Sequence, residues 1–412
     1  MIRICAKGAK LGGGITMKTI RLLAVALLAL ATVTGTVWAE TVKVGVILPY
    51  SGPNAQLGQQ VDRGFELYQK LHPKGTGDHK IEIIKRDSTG PKPDVAKRLA
   101  TELITRDKID ILAGVVYSNN AFAISDVTRK AKVPFLIMNA GTSAITTRSP
   151  YTARVSFTMW QAAYPLGKHA YDKMKIRTVA VAYANYSPGK DSKTAFTTAF
   201  TAAGGKVVAD IPFPFPKIPD FTPFLQSVKD AKPDALYVFI PAGKWATGVM
   251  KTYDDLGMRA AGIELIGPGD ITQDSELPNM GQVPLGVITM HHYSAAADRA
   301  ENKAFVKAWK EAYGADSIPD FFSVQGWDGM AAIHEAVRRL DGKIDADKAL
   351  AVWKGWKFNS PRGPIMIDPD TRDIVQNQYL RKVEKRGKAL ANIEVETLEM
   401  VKDPWKQLQK KK

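Results

Sequence analysis

Two short clusters of hydroxyl and amide side chains, Ser118-Asn119-Asn120 and Gly141-Thr142-Ser143, are the residues whose types and spacing could do chemistry. Each follows a brief apolar run, Ile109 to Val116 and Val133 to Met138, too short for an ordinary helix and therefore read as a strand. In an open parallel sheet, ligands sit just beyond the C-terminal ends of strands, so both clusters belong to one sheet edge. Hydroxyls, free backbone N–H groups and the positive end of a helix starting at Asn119 or Asn120 together describe a carboxylate-sized anion site. The competing reading makes Ser118 and Thr142 ordinary helix caps.

Other candidates surround this edge. Tyr117 and Trp160 are either aromatic walls of a cleft or core residues. Tyr186 lies in the loop after a later strand, and Asp270 is either a solvated loop acid or an acceptor for a ligand hydroxyl or amine. Tyr50 and Gln56 lie beyond the first strand, although a turn explains Pro49 to Pro53 equally well. His291-His292 is the one histidine pair; neighbours on a strand point to opposite faces and no third ligand is visible, so a metal site is disfavoured. Enzyme signatures are weak: no G-x-S-x-G elbow occurs, and Pro188-Gly189-Lys190-Asp191-Ser192 lacks the first glycine and the Ser or Thr of a phosphate-binding loop. No cofactor is expected.

The elements that must position these residues alternate. Thr41 to Leu48, Lys80 to Arg86 and the two runs above read as strands, with helices over Gln59 to Leu71 and from a cap at Asp94. After Arg154 to Thr158 the pattern restarts, with helices from Trp160, Gly189, Pro223 and Lys244 between strands at Thr178, Lys206, Ala235 and Glu264. The Pro- and Phe-rich stretch from Ile211 to Pro223 reads as a surface connection. A further strand, Gly286 to His291, precedes three helices that have no strands of their own and are expected to return over the first sheet. The tail offers short strands Gly363 to Ile367 and Gln378 to Glu384. This alternation predicts an α/β fold of two doubly wound parallel-sheet lobes joined by a multi-crossing hinge.

Met17 to Ala39 has a basic start, an apolar stretch well short of a membrane span and a small-residue end, the pattern of a signal peptide cleaved before Glu40. The single cysteine, Cys5, precedes that point, which excludes a disulfide framework, cysteine metal sites and lipid attachment in the exported chain. The formal net charge is +16, but Arg3, Lys7, Lys10, Lys18 and Arg21 lie in the leader and the rest is scattered over helix faces without interleaved aromatics. That pattern does not point to nucleic acid.

The opening KVGVILPYSGPNAQLGQQ, the AGVVYSNNA and KVPFLIMNAGTSAIT loops and the LIGPGD segment, in this order, resemble a type I periplasmic solute-binding protein of an ABC transporter, the group of the branched-chain amino acid receptors. The resemblance covers nearly the whole exported chain. It implies lobe one over 40–157 plus 290–362 and lobe two over 158–289 plus 363–412, after a leader at 1–39. Ser118 and Thr142 match the hydroxyls that hold a ligand carboxylate, with Asn119 and Gly141 beside them. Tyr186 lies near a position often aromatic in the family. The acid that meets an amine falls at Gly269, with Asp270 next to it, which disfavours an α-amino acid. FNSPRGPIMIDPDTRDIVQNQYLRKVE and SFTMWQ are closer to the branch taking up aromatic acids such as benzoate and hydroxycinnamate derivatives. The implied protein is a periplasmic monomer that binds a small carboxylate, aromatic or hydrophobic, and delivers it to an inner-membrane ABC permease. The alternatives are a branched-chain amino acid or amide receptor, or a ligand sensor docking to a membrane kinase.

Overall fold

The computed structural model describes residues 40–410 together with Gly8, so the expected signal peptide lies outside the described residues. Five strands form the first sheet: β1 (Thr41–Leu48), β2 (Lys80–Asp87), β3 (Ile111–Gly114), β4 (Phe135–Ile137) and β5 (Thr152–Arg154). All pair in parallel in the order β2-β1-β3-β4-β5. Helices α1 (Ala55–Leu71), α2 (Pro93–Thr105) and α3 (Ser118–Ala131) make the crossovers. The central β3 is buried at all four residues, as a strand covered on both faces must be. Asp94 stands inside the first turn of α2 rather than capping it, because Pro93 takes the first helical position, where its missing N–H costs nothing.

The second sheet repeats the pattern through α4 (Met159–Asp172), β6 (Thr178–Ala184), α5 (Ser187–Ala202), β7 (Lys206–Phe213), α6 (Thr222–Asp230), β8 (Ala235–Phe239), α7 (Lys244–Asp255), β9 (Glu264–Pro268) and β10 (Ile288–His291). These strands are parallel, and an antiparallel extension continues from β10: β13 (Ile374–Arg386), β12 (Gly363–Ile367) and β11 (Lys357–Ser360), with β14 (Ala389–Val401) on the outer side of β13. The tail is therefore longer than expected, because its two 13-residue strands, a mostly buried β13 and a half-exposed, charged β14, pair with each other as a hairpin. The Pro- and Phe-rich stretch is also more than a surface connection. It extends β7 to Phe213, which is fully buried, and stacks Phe215 on Tyr186.

Helices α8 (Ala300–Tyr313), α9 (Phe321–Arg339) and α10 (Ala346–Trp353) return to the first sheet, where Phe321, Val324, Met330, Ile333 and Trp353 share a core with Val44, Val46 and Ile111. Helix α9 is buried along most of its length and starts in a capping box, with Asp320 accepting from the N–H groups of Phe322 and Ser323. It crosses α1 at two facing glycines: a Cβ on Gly64 would overlap the Ser323 carbonyl, and a Cβ on Gly326 would overlap that of Val61. Backbone meets backbone there, so neither residue can grow without separating the helices. Among the described residues no helix is long and apolar enough to cross a membrane.

Gly326→Ala should force α1 and α9 apart and cost about 1–3 kcal/mol as overpacking. Calorimetry should find a melting temperature lowered by several degrees; an unchanged melting temperature would mean that the crossing relaxes freely.

Candidate functional site

The two polar loops meet as expected. Tyr117 ends the turn after β3 and caps α3, so Ser118 is the first helical residue, one or two positions earlier than expected. The Thr142 N–H donates to the Ser118 hydroxyl oxygen at 3.2 Å, which leaves the Ser118 hydroxyl proton free for a further acceptor. Both side chains are buried, and Thr142 Oγ1 has no hydrogen-bond partner among the described residues. Gly141 lies against the chain returning from β5, where a Cβ would press on Met159 and the Phe157 ring at 3.2 Å.

Across from these loops stands the second lobe's edge. Trp160, on the first turn of α4, is 5% exposed and its indole N–H is buried without a partner; the Tyr117 hydroxyl is buried and unpartnered too. Tyr186 precedes α5 and stacks on Phe215 with ring centroids 4.0 Å apart. Burial first, then the charge of Asp270 and the neighbouring Tyr117, push its hydroxyl well above the ordinary phenol range. Asp270 follows β9 in a 3-10 turn, 5% exposed, with Oδ2 unpartnered. Its nearest basic group is His291 Nε2, at 3.9 Å. Burial raises the Asp270 carboxyl to about 7, against the hydrogen bond from its own backbone N–H and the charge of Arg381. His291 is held neutral by burial and by the charges of Arg381 and Arg362, so the two make no ion pair.

Gly141, Phe157, His291 and Asp270 are thus neighbours in turn, with Ser118 and Thr142 bonded to each other beside Gly141, and Tyr186 packs against both the apolar cluster that holds Tyr117 and the one that holds Phe157 and Trp160. Two expected residues do not join them through their polar groups. The Asn119 amide donates to the Pro91 carbonyl and accepts from the Asn120 N–H. The Tyr50 hydroxyl donates to Asp62 at 2.9 Å, beside Lys85. His291 and His292 correct the expectation of opposite faces: the strand ends at His291, so the chain bends and both rings pack on Phe157, their centroids 4.2 Å apart. Among the described residues no group of three or more His, Cys, Asp or Glu is arranged to hold a metal.

Several bonds join the lobes directly. The Ser143 N–H donates to Asp191 Oδ2 at 2.9 Å, Gln56 Nε2 donates to Glu276 at 2.5 Å, and Gln273 and Ser275 donate to Asp320. Asp191 belongs to the broken phosphate-loop motif, and its function here is to hold a backbone amide of the facing lobe. Beneath the loops lies a charged hub that local sequence gave no sign of. Arg154, wholly buried, donates to the carbonyls of Thr142 and Phe157 and stands 3.5 Å from Asp373, which also binds Lys406. Asp373 and Lys406 lie more than two hundred positions from Arg154 in sequence, so only the fold assembles the hub.

The chain matches the periplasmic binding protein family model over residues 41–388. It is 40% identical to Leu/Ile/Val-binding protein homolog 6 of Brucella melitensis biotype 1, over 94% of this chain and 99% of that one. Among solved structures, it is similar to a solute-binding protein of an ABC transporter from Rhodopseudomonas palustris BisB5 in complex with 3,4-dihydroxy benzoic acid. That match has 47% identity, a TM-score of 0.85 and coverage of 89% of this chain and 99% of the other. It is also similar to one from R. palustris HaA2 in complex with p-hydroxybenzoic acid, with 41% identity, a TM-score of 0.85 and coverage of 88% and 98%.

Because burial raises the Asp270 carboxyl, the folded protein holds a proton that the unfolded chain has released, and stability falls as pH rises from 3.8 to about 7. Asp270→Asn removes that penalty. The variant should therefore gain stability over the parent at pH 8, with a gain about 3 kcal/mol smaller at pH 5. Urea unfolding at the two pH values measures this; an equal gain at both would contradict the raised carboxyl. The chain belongs to the periplasmic binding protein family.

Proposed function

We propose that this family member binds an aromatic carboxylate between its lobes and, by closing on it, presents it to an inner-membrane ABC permease. The single observation that carries this reading is buried Thr142, its hydroxyl unpartnered and its backbone N–H bonded to Ser118 at the start of α3, with the unpartnered Trp160 indole N–H in the apolar cluster of the neighbouring Phe157. Buried donors without partners cost free energy, and a carboxylate satisfies several at once with charge-assisted bonds. The helix N-terminus adds its dipole. Trp160, Tyr186 and Phe157 supply apolar faces for a ring.

An α-amino acid fits less well. The position expected to carry an amine-binding acid is Gly269, and a Cβ there would run into the Arg381 guanidinium and stand 2.6 Å from His291 Cβ. Arg381 is wholly buried and donates to the Gly269 carbonyl at 3.3 Å, so a cation already stands where an ammonium would need an anion. The aromatic acids named with the Rhodopseudomonas neighbours support the same choice. The lobes divide at 157/158, 289/290 and 362/363, the protein acts as a periplasmic monomer, and the leader at 1–39 is a cleaved signal peptide.

Binding and closure form one equilibrium, since a ligand favours the closed state only through contacts with both lobes. The Ser118→Ala, Thr142→Ala double variant of the leader-free protein should bind 4-hydroxybenzoate more weakly by about 2–4 kcal/mol. Titration calorimetry, with leucine as comparator, measures it. Undiminished affinity in the double variant, or tight leucine binding without aromatic acid binding, would contradict the reading.

A further inference from the structure

The polar groups around the cleft are sorted by type. The Ser118, Thr142, Trp160 and Tyr117 groups can all donate, whereas the turn after β9 contributes Asp270 Oδ2, an acceptor buried without a partner. Both ring nitrogens of the neutral His291 are also buried and unpartnered, and Nε2 stands 3.9 Å from that oxygen, too far for a hydrogen bond between them. Two polar groups with complementary capacities thus face each other without bonding. A small group that both donates and accepts would satisfy both: its proton to Asp270, its lone pair to an N–H of His291.

We infer that Asp270 and His291 form a hydroxyl-reading subsite, so that the preferred ligand is a ring-hydroxylated aromatic carboxylate rather than an unsubstituted one. The inference rests on the carboxylate reading given above. Its supports are geometric. Phe157 lies between Gly141 and His291, 3.2 Å from a Cβ on the first and 5.4 Å between ring centroids to the second. One aromatic ring therefore separates the donor-rich loops from the acceptor pair on one side. On the other, Tyr186 packs against the apolar clusters that hold Tyr117 and Phe157. A benzene ring with a carboxylate at one end and a hydroxyl at the other has the same sequence of groups. The His291 ring is packed among Phe157, His292 and Phe321, but neither its ring nitrogens nor Asp270 Oδ2 takes part in that packing through a hydrogen bond. Asp274, by contrast, accepts from the Asn392 amide, and Asp320 caps α9. Arg381 anchors the turn, through the Gly269 carbonyl and the Thr272 hydroxyl, but makes no hydrogen bond with Asp270. A buried polar group of this kind rejects an analogue that cannot pair with it more strongly than an apolar wall rejects a poor fit.

The test compares the leader-free protein's affinities for benzoate, 4-methylbenzoate, 3-hydroxybenzoate and 4-hydroxybenzoate by calorimetry, with Asp270→Ala and His291→Leu as variants. The better hydroxybenzoate should bind about ten- to a hundredfold tighter than 4-methylbenzoate, which has the same bulk without the hydroxyl. In each variant that ratio should shrink severalfold, whatever happens to benzoate affinity itself. Equal binding of the methyl and hydroxyl compounds by the unaltered protein would overturn the subsite while leaving carboxylate binding intact. So would a preference that survives both substitutions. Absence of binding by all four acids would instead overturn the carboxylate reading on which the subsite rests.

Discussion

Three wholly buried guanidinium groups hold the chain crossings together, and the cleft depends on them. A guanidinium stays charged inside a protein, so each must find acceptors for its five donors. Arg154 takes the carbonyls of Thr142 and Phe157 and lies beside Asp373. Arg362 takes those of Val155 and Ser156 together with Gln376, and its Nε is 2.8 Å from Asp328. Arg381 takes the Tyr293 and Gly269 carbonyls and lies 3.7 Å from Asp274. The segments tied in this way are those that pass from one sheet to the other, after β5, after β10 and around β12 and β13. Removing any one guanidinium would leave a buried carboxylate with less compensation, a loss worth about 3–5 kcal/mol where a buried pair is broken.

These anchors also carry functional residues. Arg154 fixes the backbone of Thr142, whose hydroxyl is buried and unpartnered, and Arg381 fixes the turn that bears Asp270. The two ends of the cleft are thus set by rigid cationic posts, and the groups left free between them are polar, buried and unpartnered. On the proposed function, a bound ligand would relieve that cost. Asp270 shows the compromise directly: its raised carboxyl weakens the fold at neutral pH and suits a group that waits for a hydrogen-bond donor. Interlobe bonds such as Ser143 to Asp191 and Gln56 to Glu276 add contacts that exist only when the lobes are together.

What could be read from sequence follows the range of the interaction. Strands β3 and β4, their polar loops and the placing of Ser118 beside Thr142 were legible because buried parallel strands are short apolar runs and their C-terminal loops share an edge. The return of α8, α9 and α10 to the first sheet was legible because they had no strands to cover. The β13–β14 hairpin was only half visible, since charged, exposed residues on β14 and at the end of β13 break the apolar pattern. Its position beyond the first strand leaves Tyr50 open to a cleft or a turn role, and a nearby acid, Asp62, takes its hydroxyl. The arginine hub, the pairing of His291 with Phe157 and the stack of Phe215 behind Tyr186 depend on contacts between distant segments, which no local pattern encodes.

The most direct test is a crystal structure of the leader-free protein grown with 4-hydroxybenzoate. The account requires the lobes closed on one molecule, its carboxylate within hydrogen-bond distance of Thr142 Oγ1 and the Ser118 hydroxyl, and its ring bounded by Trp160 and Tyr186. A ligand bound outside the cleft, or closed lobes with the carboxylate turned toward Asp270, would contradict it.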